Sequence, residues 1–380
     1  FYLAMAAAGQ DALASFATCV SFGMDIGGTL TKVVYFAPDL PDNKEDAAKI
    51  HQFITASREY GLTGTRDENF CYHTEVLGGT LHFIKFHTSR MNAFLQIVQS
   101  EGLTANMDKL RCTGGGAHKF EEEFRNIGVT IEKVDEMNSL VQGAHFLSRT
   151  SSAQCYCLEK PNFSEDMRKV HMTVGSDNPY VLVNIGSGIS ILRVDGPKEY
   201  SRVGGSSLGG ATFLALTRLL TKATTFKEAL ALAEAGDSTH VDMLVRDIYG
   251  GGYESLGLSP TVVASSFGKM INPNAEAEPA DLAKAALIMI TNNIGSLAHL
   301  HSRIEKVDTI VFAGNFLENN EVARRTLAFA LGFWSENTVK AVFLENVGYS
   351  GAVGALTYNI IGHIQLQSPA PLRKSQEQES

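Results

Sequence analysis

The sequence predicts an α/β protein built from two similar lobes with a cleft between them. One observation is a pair of β-prone runs joined by glycines at 22–36. Another is a run of the same plan at 180–194, about 160 residues further along the chain. The chain has 380 residues, which is enough for two domains with large buried cores. A duplicated unit of about one domain each accounts for all three observations.

The composition is that of an ordinary soluble globular protein, with 44% hydrophobic and 19% charged residues. The net charge of −9, from 32 basic and 41 acidic residues, argues against nucleic acid or an anionic membrane as the main partner. An anionic ligand would therefore have to be met by local positive groups and backbone N–H donors.

The N-terminal residues and the cysteines indicate the expected cellular location of the protein. Residues 1–20 are apolar and contain no Lys or Arg, so neither a secretory nor a mitochondrial presequence is expected. No apolar run approaches the ~18 residues needed to cross a bilayer. Five cysteines without metal-ligand spacing indicate reduced thiols and a cytoplasmic protein. The predicted division is an N-terminal extension at 1–20, a first lobe at 21–178, a second lobe at 179–366 and a disordered tail at 367–380.

The first hairpin, at 24–36, is the stretch around which the chain is organised. Gly27 and Gly28 separate the two β-prone runs, and glycine alone adopts positive φ at little cost, so a tight turn is expected. No G-x-x-x-x-G-K-[ST] motif occurs here, so the turn is not a Walker A loop. An ordinary hairpin turn remains the alternative to a phosphate-binding one.

Polar groups gather around this turn. Its amide groups could face an anion together with two hydroxyls and one ammonium group, while a carboxylate at its mouth could hold hydrated Mg²⁺. These groups belong to Thr29, Thr31, Lys32 and Asp25.

Two later stretches each leave a structural and a functional interpretation open. Glycines 114–116 precede a predicted helix at 117–128 and indicate either an anion site at a helix N-terminus or a flexible turn. Asp135 and Glu136 begin the helix of a strand–helix unit at 129–147. Acidic residues there are usually caps, although one of them could be a general base.

The second hairpin is followed by a glycine-rich loop that opens a helix at 204–216, whose N-terminus would add anion affinity. Arg202 precedes this loop. It is either a solvated surface charge or a bidentate clamp for a carboxylate or phosphate.

The remaining elements follow from periodicity and from turn residues. Residues 148–178 are expected to be irregular, as a seam between the lobes or a surface excursion. The other predictions are an exposed loop at 38–50, strands at 81–88, 308–316 and 340–345, and helices at 91–99, 226–258 (two, joined at 236–239), 281–304, 320–333 and 348–360.

These blocks together resemble the eukaryotic-type pantothenate kinases, members of the acetate-kinase, sugar-kinase, heat-shock-chaperone and actin superfamily. The resemblance covers roughly residues 22–362. It rests on GMDIGGTLTKVVYF, CTGGGAHKFEEEFR, KVDEMNSLVQG, NPYVLVNIGSGISIL, SRVGGSSLGGATFL, GDSTHVDMLVRDIYGG and FLENVGYSGAVGAL, in this order.

The resemblance implies two ribonuclease-H-like lobes of the actin-like ATPase fold, with ATP in the cleft and a homodimer built through the second lobe. The implied reaction is phosphorylation of pantothenate by MgATP, the first step towards coenzyme A, with acetyl-CoA or another CoA ester as a competing inhibitor. The catalytic base falls on Glu136, which leaves Asp135 as the cap.

The resemblance places pantothenate or the acyl-CoA inhibitor at Ser187, Ser190 and Arg202. From the two hairpins themselves, the ATP phosphates are expected at Gly27, Gly28, Thr29, Lys32, Gly186 and Gly188, and Mg²⁺ at Asp25, through water.

Some members of this family are inactive because the base and the arginine are replaced, whereas this chain retains both, so an active enzyme is expected. Ala211 stands where a third glycine is common and Asn138 where a second acid is common. The rival interpretations are a kinase of another small alcohol, such as an amino sugar, and a non-catalytic nucleotide-binding regulator.

Overall fold

The computed structural model describes residues 21–45, 48, 65–66, 71–100, 102, 104, 109–150, 154–159, 168–174, 178–346, 348–358 and 360. The predicted extension at 1–20, the tail at 367–380 and parts of 38–50 and 148–178 lie outside these residues. Across the described ranges, no helix is both long and apolar enough to span a membrane.

At the predicted hairpins, the runs of apolar residues form the strands and the glycines form the turns between them. The described strands are β1 Ser21–Ile26, β2 Leu30–Pro38, β3 Thr65–Arg66, β4 Tyr72–Thr74, β5 Gly79–His87, β6 Lys109–Thr113, β7 Thr130–Lys133, β8 Cys155–Glu159, β9 Arg168–His171, β10 Tyr180–Ile185, β11 Ile189–Val194, β12 Tyr200–Ser206, β13 Met243–Leu244, β14 Val263–Ser265, β15 Thr309–Ala313 and β16 Lys340–Leu344.

Two sheets repeat one strand order and one polarity. The first sheet runs β5-β2-β1-β6-β7, and the second runs β12-β11-β10-β15-β16. In each sheet the first, second and third strands of this order run antiparallel to one another in turn. The fourth strand runs parallel to the third, which is β1 or β10, and the fifth runs parallel to the fourth. The predicted duplication and the two-lobed α/β class are therefore confirmed.

Helices with apolar faces cover both sheets. The described α-helices are α1 Met91–Ser100, α2 Gly116–Lys119, α3 Glu121–Asn126, α4 Glu136–Thr150, α5 Gly210–Leu220, α6 Phe226–Ala235, α7 Val245–Tyr249, α8 Pro279–Ile304, α9 Glu321–Trp334 and α10 Ser350–Thr357.

Segments cross between the sheets on both sides of the predicted division at residue 178. Strands β8 and β9 precede it but extend the second sheet beyond β16. Helix α10 follows it but packs on the first sheet through Val353 and Leu356. Helix α4 contributes Leu140 to the core of the second sheet and Phe146 to that of the first. The lobe boundaries remain predictions, and α4 and α10 link the two sheets.

The structure also corrects some element predictions. The stretch 148–178, expected to be irregular, contains β8 and β9. The helix expected at 117–128 is interrupted at Phe120 (φ −104°, ψ 11°). The second helix expected within 226–258 is only α7, because a turn capped by Asp237 and strand β13 come first.

Candidate functional site

Both glycine hairpins line one cleft of about 1020 Å³ between the sheets. Gly27, Gly28 and Thr29 come from the β1–β2 turn, and Gly186 and Ser187 come from the β10–β11 turn. Strands β1 and β10 hold equivalent positions in the two sheets. The duplicated strand order therefore brings both turns to the same cavity.

The first turn has two backbone donors to spare. The Gly27 N–H donates to the Leu30 carbonyl (3.0 Å), which closes the turn, and the Gly27 carbonyl accepts from Thr88 Oγ1 (2.8 Å). Within the described part of the chain, the amides of Gly28 and Thr29 have no hydrogen-bond acceptor. These two N–H groups are therefore the donors available to an anion.

Thr31 does not belong to the anion-facing group in which the sequence placed it. Its side chain is fully buried, and its hydroxyl lies 3.0 Å from Thr88 Oγ1. The reason is strand alternation, since Thr31 is paired with Ile26 and points to the packed side of β2. Thr31 braces the turn instead.

Asp25 and Lys32 form a mostly buried charged pair beside the turn. They are cross-strand partners in register, with Lys32 Nζ 3.7 Å from Asp25 Oδ2. Burial raises the pKa of Asp25 above its ordinary value, and the nearby Lys32 opposes this rise. The pair places one carboxylate and one ammonium group on the cleft wall.

Glycines make room for the Asp25 carboxylate, and this arrangement fits a hydrated Mg²⁺. A Cβ at Gly114 would come within 2.9 Å of Oδ1, and one at Gly351 within 2.8 Å of Oδ2. Among the described residues, no cluster of three or more His, Cys, Asp or Glu could hold a metal alone. A lone carboxylate suits Mg²⁺, which keeps water ligands and shares substrate phosphates.

Glycines 114–116 act as a packing turn here. A Cβ at Gly116 would lie 2.1 Å from Ile26 Cγ2, and Gly114 has φ +83°. Thr113 lines the cleft, but the three glycines do not. Of the two interpretations left open by the sequence, the structure favours the turn.

The second hairpin is braced by the start of α5. The N–H groups of Gly210 and Ala211 donate to the carbonyls of Gly186 (2.8 Å) and Ser187 (3.2 Å). These first helical amides are therefore engaged with the hairpin, whereas the sequence predicted them to be free for an anion. The Gly188 carbonyl accepts from Gly186 N–H (2.9 Å), so Gly188 closes the turn and does not line the cleft.

Glu136 is the first residue of α4 and lines the cleft. Asp135 precedes it, and its Oδ1 accepts from the Asn138 N–H (2.8 Å), which is a cap. Partial burial raises the pKa of Glu136, and the carboxylates of Asp25 and Asp135 raise it further. A carboxylate with a raised pKa in a cleft suits proton abstraction near neutral pH.

Ser190 and Arg202 are not among the residues that line this cleft, but they share a sheet face with one that is. Ser190 is paired with cleft-lining Asn184. Arg202 is paired with Leu192, two residues from Ser190 on the same side of β11. The exposed Arg202 side chain folds back, so that a Cβ at Gly205 would meet Nη2 at 2.5 Å.

Sequence reasoning missed several cleft residues. One face of α6 lines the cleft, and Phe226 packs edge-on against Phe213 (5.7 Å between ring centroids). Lys85 of the first sheet forms an ion pair with cleft-lining Glu318 of the second lobe. The apolar spacing of residues 226–235 predicted a helix, but no local pattern indicated which face of this helix would line a cavity. The missed lining residues include Asn184, Leu214, Phe226, Lys227, Leu230, Ala231, Glu234, Asn315 and Glu318.

The sequence of this chain is similar to a known family profile and to several known proteins. The Fumble family profile matches residues 21–358. Pantothenate kinase 1 of Arabidopsis thaliana is 39% identical over 362 residues, which cover 90% of this chain and 87% of that protein.

Other relatives are longer than this chain. Pantothenate kinase 2 of Oryza sativa subsp. japonica is 37% identical over 353 residues, covering 87% of this chain and 38% of that protein. The 4'-phosphopantetheine phosphatase of Mus musculus is 36% identical over 336 residues, covering 88% of this chain and 40% of that protein. The chain thus spans about two fifths of the length of these two relatives. Among solved structures, the activator of the 2-hydroxyisocaproyl-CoA dehydratase from Clostridium difficile aligns at 13% identity with a TM-score of 0.46, covering 90% of this chain and 95% of that one.

Proposed function

The chain belongs to the Fumble family, that of the type II pantothenate kinases, and we propose that it transfers the γ-phosphate of ATP to pantothenate. The product would be 4'-phosphopantothenate, the first intermediate on the way to coenzyme A. The observation that carries this proposal is the single cleft that holds both glycine turns together with Asp25, Lys32 and Glu136.

Phosphoryl transfer demands positioning and charge neutralisation more than covalent chemistry, and this donor set supplies both. The amides of Gly28 and Thr29 and the Gly186–Ser187 turn would hold the triphosphate. Lys32 would offset charge on the γ-phosphoryl group. Glu136 would accept the proton of the attacking hydroxyl group as that oxygen bonds to the γ-phosphorus. The bond between the γ-phosphorus and the β,γ-bridging oxygen would break, and ADP would leave with that oxygen.

Mg²⁺ is the proposed metal, and Asp25 would hold it through water. When bound, the ion neutralises the charge of the phosphate oxygens. Lys32 Nζ lies 3.7 Å from Asp25 Oδ2, on the same wall of the cleft.

Arg202, Ser190 and Ser187 are proposed to bind pantothenate. A guanidinium group pairs with a carboxylate by two parallel hydrogen bonds, which suits the carboxylate end of pantothenate. Acetyl-CoA or another CoA ester would compete for the same groups. Support comes from the shared sheet face of Ser190 and Arg202 next to the cleft.

An ADP-release assay with MgATP and pantothenate tests this proposal. We expect ADP release that depends on pantothenate and is inhibited competitively by acetyl-CoA. N-acetylglucosamine in place of pantothenate provides the comparison, since a sugar preference would refute the assigned substrate. Inhibition without competition would refute the shared site while leaving the reaction intact.

A non-catalytic regulator is the second candidate. Similarity over 88% of this chain to a relative named 4'-phosphopantetheine phosphatase means that the likeness alone does not establish a kinase. Glu136 and Arg202 speak against the regulator, since the predicted base and carboxylate clamp are both present. Absence of phosphoryl transfer to every alcohol tested, with ATP still bound, would favour the regulator.

We also propose a homodimer formed through the second lobe. Large apolar side chains remain exposed on two adjacent helices of this lobe, including Phe329, Phe333 and Trp334 on α9 and Leu300 on α8. Water contact with such a surface is unfavourable, and a second copy would cover it.

The four described cysteines form no disulfide, which supports the proposed cytoplasmic location.

A further inference from the structure

A tyrosine on the edge of the second sheet contacts the cap of the helix that begins with Glu136. Tyr200 Oη donates to Asp135 Oδ1 at 3.4 Å. Tyr200 belongs to β12, whereas Asp135 follows β7 of the first sheet. The hydrogen bond therefore joins the two lobes beside the cleft.

The position of Tyr200 also relates it to Arg202. Residues two apart on a strand point to the same face, so Tyr200 and Arg202 share one side of β12. Their partners on β11, Val194 and Leu192, are two apart as well. The β-bulge comes after Arg202, where the register shifts between Ile191 and Leu192, so it does not separate the two side chains.

Asp135, the acceptor of the hydrogen bond from Tyr200, caps the start of α4. Its Oδ1 accepts from the Asn138 N–H and thereby sets where α4 starts, which determines where Glu136 points. The strand end before it is anchored, because Thr113 Oγ1 donates to the Val134 carbonyl (3.0 Å). A group that contacts Asp135 therefore acts on the backbone that carries Glu136.

We propose that Tyr200 is a positioning residue that couples the strand carrying Arg202 to the helix start carrying Glu136. This inference rests on the proposed function, in which Arg202 holds one end of the alcohol substrate and Glu136 activates the other. The Tyr200 hydroxyl would then help set the span between the two ends of the substrate.

The chemistry of the contact supports this role. Burial and the Asp135 carboxylate raise the pKa of Tyr200, so its hydroxyl stays protonated and remains a donor at neutral pH. A length of 3.4 Å is long for an O–H···O⁻ bond, so the loss of this one bond should have a modest effect.

The test is Tyr200→Phe, which removes only the hydroxyl group. We expect kcat with pantothenate to fall roughly 3- to 10-fold, the effect of one hydrogen bond, while the Kd of MgATP stays unchanged. Tyr249→Phe, an exposed tyrosine on α7, is the matched control and should behave as wild type. Unchanged kcat in Tyr200→Phe, or equal losses in kcat and in MgATP binding, would overturn the proposal.

A double-mutant cycle with Asp135→Ser identifies the partner. Serine keeps the helix cap but lacks the carboxylate that Tyr200 contacts. In this background, Tyr200→Phe should have no further effect on kcat, whereas additive losses would show that Tyr200 acts elsewhere. If wild-type protein does not phosphorylate pantothenate, the proposed function fails by itself. In that case, the contact between Tyr200 and Asp135 can be tested by measuring the thermal stability of the same variants. Non-additive losses of stability would support the contact, and additive losses would refute it.

Discussion

At the scale of single residues, Glu136 is the proposed general base of the cleft. Glutamine keeps the shape of the side chain but cannot accept a proton. Glu136→Gln should therefore lower kcat by about 10²-fold or more, measured as pantothenate-dependent ADP release. Glu122→Gln, an exposed acid on α3, is the control and should match wild type. Wild-type turnover in Glu136→Gln would remove Glu136 from its proposed role.

The pH dependence follows from the raised pKa of Glu136. A general base acts when deprotonated, so kcat/KM should fall as the pH drops through this pKa. Because the pKa is raised, the fall should begin above the range of an ordinary glutamate, whose pKa is about 4.3. Asp135→Ser removes one carboxylate that raises it, so the acidic limb should move to lower pH. A limb that moves upward or stays in place would contradict this electrostatic account.

At the scale of elements, the crossing of α4 and α10 holds the two lobes together. A Cβ on Gly143 would lie 1.8 Å from the Ser350 carbonyl oxygen, and one on Gly354 would lie 1.7 Å from the Ser139 carbonyl oxygen. Real atoms do not approach so closely, so each helix needs a glycine where it meets the other. Ser139 lies about one turn along α4 from Glu136, the first residue of that helix.

Gly354→Ala should therefore destabilise the protein by about 1–3 kcal/mol or more through overpacking, seen as a lower midpoint of urea unfolding. Gly251→Ala is the control, because a Cβ there meets nothing within 4 Å and its φ is not positive. The control should stay within about 0.5 kcal/mol of wild type. Equal midpoints for the two variants would mean that the helices separate at little cost.

At the scale of the whole molecule, the exposed aromatic side chains of α9 predict self-association. Phe333 is 49% exposed and stacks with Phe329 at 6.3 Å between ring centroids. Phe333→Glu should shift the protein from dimer to monomer in analytical ultracentrifugation, because a carboxylate is costly to bury. Leu40→Glu in the first lobe, where Leu40 is 78% exposed, should leave the dimer intact. A monomeric wild type would refute the dimer outright.

Much of the fold could be predicted because its signals are local. Alternating apolar residues around Gly27 and Gly186 predicted both hairpins, and the helical period predicted α8 and α9 nearly to the residue. Strands β8 and β9 were missed, since their partner β16 lies far away in sequence. Thr31 and the N-terminus of α5 were misjudged because their hydrogen-bond partners are also distant.

The sequence by itself determined the duplicated strand–turn–strand plan, the type of its elements and the residue types able to grip a phosphate and take a proton. These depend on backbone preferences and on spacing within a few residues. Only the tertiary structure decided that both turns share one cleft, that Glu136 faces it and that Tyr200 reaches Asp135. Such juxtapositions depend on how strands far apart in the chain pair into sheets, which no local pattern records.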